Sequence, residues 1–155
     1  MKKMMAMAMA ATMVMAAAVP AMADEKSMTV TYGVDAGYVL TIPSDVTFTK
    51  SALTGSGDVK VTEALLAADE TLTVTIKSTN GYNLVYDTDS KIVYTVTPAG
   101  GQAFSGTDAQ VVMEVEAGTK EKTVALAFAT TENAIAAATK SGDHEDTLTF
   151  TGSIA

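Results

Sequence analysis

The feature that most limits what this chain can become is a strict two-residue alternation in which threonine is the polar partner. In "TLTVTIK" (71–77), Leu72, Val74 and Ile76 point one way while Thr71, Thr73, Thr75 and Lys77 point the other. "DTLTFT" (146–151) sets Leu148 and Phe150 against Thr147, Thr149 and Thr151. "VVMEVEA" (111–117) opposes Val111, Met113 and Val115 to Glu114 and Glu116, and "MTVTYGV" (28–34) alternates Met28, Val30, Tyr32 and Val34 with Thr29, Thr31 and Gly33. Successive side chains of a strand face opposite ways, so this pattern describes extended segments with one face in a core and one in water. Threonine, β-branched yet polar, suits the wet face of a sheet. Further strands are predicted at 38–42, 46–49, 58–62, 83–86, 91–97 and 123–128.

Turn chemistry punctuates these runs. Asn80-Gly81 in "TNGY" predicts a tight hairpin, since both residues tolerate positive φ. "VDAGY" (34–38) reads as a reversal at Gly37, "GSGD" (55–58) and "PAGGQ" (98–102) as loops, and Pro43 as a strand end. Gly152 inside the last run marks a bulge or a close backbone approach. "EALLAADE" (63–70) reads as one helical turn or a loop. "TENAIAAATKSG" (131–142) reads as a short helix with Thr131 as N-cap, Glu132 in its first turn and Gly142 beyond its end. Nine or ten short strands in one unit predict an all-β, immunoglobulin-like two-sheet sandwich, with a short Ala-rich helix or loop before the last strand.

The first residues carry a different signal. Lys2 and Lys3 precede an uncharged run at 4–19, Pro20 breaks it, and Ala-Met-Ala at 21–23 has the small-x-small pattern of a cleavage site. This predicts a secretory signal peptide over 1–23 and a sandwich domain over 24–155. The run is too short for a membrane span, which needs about 20 residues. Removing Lys2 and Lys3 takes the formal net charge from −8 to −10, and the chain has no arginine. Such a surface has no basic footprint for nucleic acid or anionic lipid. Cysteine is absent, which excludes disulfides, thiolate metal sites and cysteine nucleophiles.

Four places could carry chemistry. "GDHED" (142–146) holds the sole histidine, His144, among Asp143, Glu145 and Asp146; neighbours on extended chain point apart and cannot converge on one ion, so the reading is a solvated turn before a strand. Asp87 and Asp89 in "YDTDSK" have the spacing of calcium ligands, but Lys91 stands where the calcium-loop pattern needs another oxygen, so they are weak calcium candidates. Tyr82 and Tyr86 share parity and are weak candidates for a small aromatic binding patch, with core packing as the alternative. A Lys–Asn crosslink, with Lys26 or Lys50 and Asn133, needs a buried trio. One histidine, no cysteine and no G-x-S-x-G elbow argue against a hydrolase.

The runs "YGVDAGYVLTIPSDVTF", "TLTVTIKSTNGYNL", "KIVYTV" and "DTLTFTGSI" together resemble secreted immunoglobulin-like surface proteins of Gram-positive bacteria, in the style of WxL-domain proteins and of pilus or coat subunits. Phe150 stands where the WxL pattern has tryptophan, and Gly152 where it has leucine, so no wall-binding residue is carried over. The resemblance implies a non-enzymatic protein, secreted or at the bacterial cell surface, that serves adhesion, surface coating or assembly. Its partners would be a cell-wall or surface protein or glycan, or further copies of itself. The alternatives are a polymerising subunit that donates residues 24–34 to a neighbour's sheet edge, and a soluble sugar- or calcium-binding module.

Overall fold

The computed structural model describes residues 28–155; the leader predicted at 1–23, its cleavage point and Lys26 lie outside the described residues. Eight strands and one short helix follow in chain order: β1 (Gly37–Thr41), β2 (Thr54–Leu65), β3 (Thr71–Ser78), β4 (Asn83–Val85), β5 (Lys91–Pro98), β6 (Gln110–Glu116), β7 (Lys122–Thr130), α1 (Glu132–Ala136) and β8 (Leu148–Ile154). They form two antiparallel sheets, one ordered β1-β2-β7-β5-β4 and the other β6-β3-β8. From β2 onward the chain passes repeatedly from one sheet to the other, and inward side chains of both sheets share one core. Val59 and Val61 of β2, Val96 of β5, and Leu126 and Phe128 of β7 meet Leu72, Val74 and Ile76 of β3 and Val115 of β6. The protein is an all-β, two-sheet sandwich, as the alternation predicted.

Several sequence expectations shift in register or in kind. The run at 28–34 is no strand: residues 28–36 lack regular structure, and Met28, Val30, Tyr32 and Val34 are 84, 83, 88 and 65% exposed. A strand exists only through its hydrogen-bonded neighbour, and among the described residues this run has none. Residues 46–49 likewise form no strand beyond a Thr49–Ala52 bridge, so eight strands stand where nine or ten were predicted. In β6, Val111 points outward and Val112 inward, because the pairing steps from Val74–Met113 to Thr75–Val111 and leaves Val112 as the extra residue of a bulge. A bulge reverses side-chain parity, which alternation counting cannot foresee.

The Asn80-Gly81 hairpin is absent too. β3 and β4 belong to different sheets, and the positive-φ pair is Gly81 (63°) and Tyr82 (61°), one residue later than predicted. Here the turn is set by Ser78, whose hydroxyl accepts the backbone N–H groups of Asn80 and Tyr82. The helix at 131–142 shortens to Glu132–Ala136, capped by Thr131 as expected. It stops because the N–H groups of Thr139 and Lys140 turn to the Ser90 hydroxyl instead of to a preceding carbonyl.

The "GSGD" loop is in fact the start of β2. Its glycines serve close packing: a Cβ on Gly57 would lie 2.5 Å from Pro43 Cβ, and one on Gly55 2.7 Å from Val46 Cγ1. These contacts seat segment 42–50 across the inner face of β2. Gly152 is the close approach the sequence announced, with the Tyr38 ring against its backbone and no break in the β3–β8 pairing. Gly57→Ala is expected to cost about 1–3 kcal/mol in a denaturant titration, because Pro43 and its segment must shift; an unchanged midpoint would show that the segment is not seated there.

Candidate functional site

Segment 42–50, the inner face of the five-stranded sheet and the start of β8 surround an open cleft of about 820 Å³. Its lining is mixed: Phe48, Leu84, Ile92, Phe128, Leu148 and Phe150 supply apolar surface, interleaved with Thr47, Thr49, Thr130 and Thr147. Asp45, Asp143, Glu145 and Asp146 also line it. Leu148 and Phe150 bring the start of β8 to the cleft, and among the described residues β8 pairs only with β3. The reciprocal Thr71–Ala155 hydrogen bonds and the Thr79–Thr147 bond fix the phase of that ladder. Odd-numbered residues 147–155 therefore bond to β3, and the N–H and C=O groups of Leu148, Phe150, Gly152 and Ile154 point to the open edge.

The end of the cleft is built by the cluster read from sequence as a solvated turn. Asp146 accepts hydrogen bonds from Ser78 Oγ (2.6 Å), Tyr94 Oη (2.7 Å), Asn80 N–H (3.0 Å) and Thr147 N–H (2.8 Å). One carboxylate thus ties the end of β3, the middle of β5 and the entry to β8. Ser78 is fully buried. It occupies an inward position in the phase of Leu72, Val74 and Ile76, a signal the sequence carried and that the alternation reading passed over.

His144 is half-buried and also structural. Its Nδ1 lies 3.0 Å from the Gly142 carbonyl, so Nδ1 carries the proton, and Nε2, 2.8 Å from Ser90 Oγ, accepts from that hydroxyl. A serine and histidine at this distance look like a nucleophile and its base. Here Ser90 is fully buried, its Oγ already accepts two backbone N–H groups, and the histidine's other nitrogen faces a carbonyl instead of a carboxylate. The pair fastens the loop before β8 to the β4–β5 turn, beside reciprocal backbone bonds between Val85 and Glu145.

Asp87 closes that same turn. One of its oxygens accepts the N–H groups of Asp89 and Ser90, and the other meets the Lys140 ammonium. Those contacts, Lys140 first, hold its carboxyl below the ordinary value. Asp89 is exposed, and its backbone carbonyl accepts from Thr139 Oγ1. Among the described residues no three acidic or histidine side chains gather as a metal set.

Tyr82 and Tyr86 do not share a patch. Tyr86 is 49% exposed and leans on the His144 ring, whereas Tyr82 is buried between Tyr94 and Phe104. Lys50 and Asn133 are both exposed, so the buried trio a crosslink needs is not formed around them. No family model matches the chain, and no curated protein matches it significantly. No helix among the described residues is long and apolar enough to cross a membrane.

The two buried phenols make a direct test. Burial pushes Tyr82 up to about 12, with the nearby Asp146 charge adding to it. Burial raises Tyr94 further, helped by its hydrogen bond to Asp146. A phenol that keeps its proton when folded stabilises the fold fully below the unfolded value of about 10. That stability is lost as pH rises from there toward about 12, since the unfolded chain releases protons first. The Tyr82 hydroxyl is buried without a hydrogen-bond partner among the described residues, so Tyr82→Phe should leave stability unchanged or higher by ~1 kcal/mol. Tyr94→Phe should cost ~1.5–3 kcal/mol, because it strips a donor from a carboxylate. The difference in 295 nm absorbance between native protein and Tyr82→Phe should have its midpoint close to 12; a midpoint near 10 would show an exposed phenol.

Proposed function

We propose that this chain is an exported bacterial cell-envelope protein, secreted or held at the cell surface, which acts in adhesion, surface coating or assembly by non-covalent contact and not by catalysis. The observation that carries the reading is a cleft with apolar patches beside a β8 edge that has no strand partner among the described residues, on an otherwise threonine-rich and acidic molecule. Apolar patches next to free backbone donors and acceptors make a docking surface for an extended protein segment. Two of the polar groups in the cleft lining hold the fold, Asp146 through Ser78 and Tyr94 and His144 through Ser90. The signal-like leader, the absence of cysteine and the net charge of −8, or −10 once Lys2 and Lys3 are removed, fit an exported protein kept soluble by its exterior. The immunoglobulin-like surface-protein resemblance points the same way.

Fractionation of the producing bacterium tests the reading. The protein, with its N-terminus at Asp24, is expected in the medium or in the wall fraction, released from the wall by high salt or denaturant without enzymatic digestion. Recovery in the cytoplasm with the leader intact would contradict export, and release only by wall-digesting enzymes would contradict non-covalent contact.

A further inference from the structure

Resting on that reading, we propose that the occupant of the β8 edge is residues 28–34 of a second copy of this chain. Two observations, independent of each other, fit together. The first is the edge itself: four consecutive inward residues, Leu148, Phe150, Gly152 and Ile154, whose backbone polar groups have no partner among the described residues. The second is a seven-residue run with strand alternation and no strand. Its Met28, Val30, Tyr32 and Val34 are left in water, although large apolar side chains on one such strip are what burial favours most.

The two match in length and in phase. β8 and the run are both seven residues long, so one can lie along the whole of the other. Docked side by side, Met28, Val30, Tyr32 and Val34 join the inward row of Leu148, Phe150, Gly152 and Ile154, and the two that fall opposite Leu148 and Phe150 enter the cleft. Thr29, Thr31 and Gly33 then join the outward row of Thr149, Thr151 and Ser153. A slip of one residue would turn the apolar row to water, so the phase is fixed. Beside Leu148 and Phe150 the cleft supplies what an ordinary sheet edge lacks, room for incoming side chains. Each copy carries both donor run and acceptor edge, so the contact is head-to-tail and propagates unless the rotation closes a ring. The fold itself does not need the run: no core residue comes from 28–34.

The absence of native cysteine allows a direct test. With the two segments in full overlap, position 31 falls opposite 151 whether the strands run parallel or antiparallel. Adjacent strands put paired Cα atoms about 4.5–5.5 Å apart, within reach of a disulfide. Chains from Asp24 to Ala155 carrying Thr31→Cys and Thr151→Cys singly are mixed and oxidised. The control mixture pairs Thr31→Cys with Thr95→Cys, whose residue is exposed on β5, an interior strand. The proposal requires several-fold more mixed dimer from the first mixture than from the control, and loss of that dimer on adding Val30→Lys and Tyr32→Lys to the donor with no change in thermal unfolding. A chain carrying Thr31→Cys and Thr151→Cys together should give a ladder of dimers and trimers.

Equal dimer in both mixtures would overturn the proposal. So would an internal disulfide in the double variant that persists on dilution, which would place the run on its own β8. Neither result depends on where the protein resides in the cell, so failure here is distinct from failure of the export reading.

Discussion

The carboxylate of Asp146 sets the geometry on which the rest of the site depends. It sits where the chain enters β8 and takes hydrogen bonds from Ser78 in one sheet and Tyr94 in the other. Bonds to a charged acceptor are stronger than neutral ones, and partly buried ones are less screened by water. With β8 fixed at its start by this clamp and along its length by β3, its other edge is held at a set distance from segment 42–50. The cleft is the gap between them.

The second constraint is unequal sheet size. Five strands face three, so the inner face of the larger sheet exceeds what β6, β3 and β8 can cover. Segment 42–50 covers part of the excess, made possible by Gly55 and Gly57, where side chains would collide with Val46 and Pro43. Phe48 packs on Tyr94 with ring centroids 6.0 Å apart. The remainder is apolar surface in the cleft lining. An open edge invites uncontrolled pairing, and the usual protections are charge, bulges or cover. Here the entry to β8 is charged at Asp143, Glu145 and Asp146, while the strand itself is not.

Much of this was legible in the residues, and the limits have physical causes. Local alternation placed β3, β5, β7 and β8 well, because each has one dry and one wet face. Where a strand's fate depends on a neighbour, alternation is silent: 28–34 has the same pattern as β3 yet no partner among the described residues, and 46–49 lies on a sheet instead of in one. The bulge at Val112 and the displaced turn at Gly81 and Tyr82 arise from contacts with β3 and with Ser78, which local sequence does not contain. The site was least legible. Ser78 in an inward phase was a visible oddity, but Ser90 gave no sign that three groups 49 to 54 residues away would converge on it. His144 drew the eye for its chemistry and turned out to be a fastener.

The most direct measurement of the central claim, that β8 is held by β3 and Asp146 with its outer edge free, is amide hydrogen exchange on dilute monomer, resolved by residue. The account predicts an alternating profile, with Thr149, Thr151 and Ser153 protected by β3 and Phe150, Gly152 and Ile154 exchanging far faster. Uniform protection along β8 in the monomer would mean that something in the same chain already covers that edge, and would contradict it.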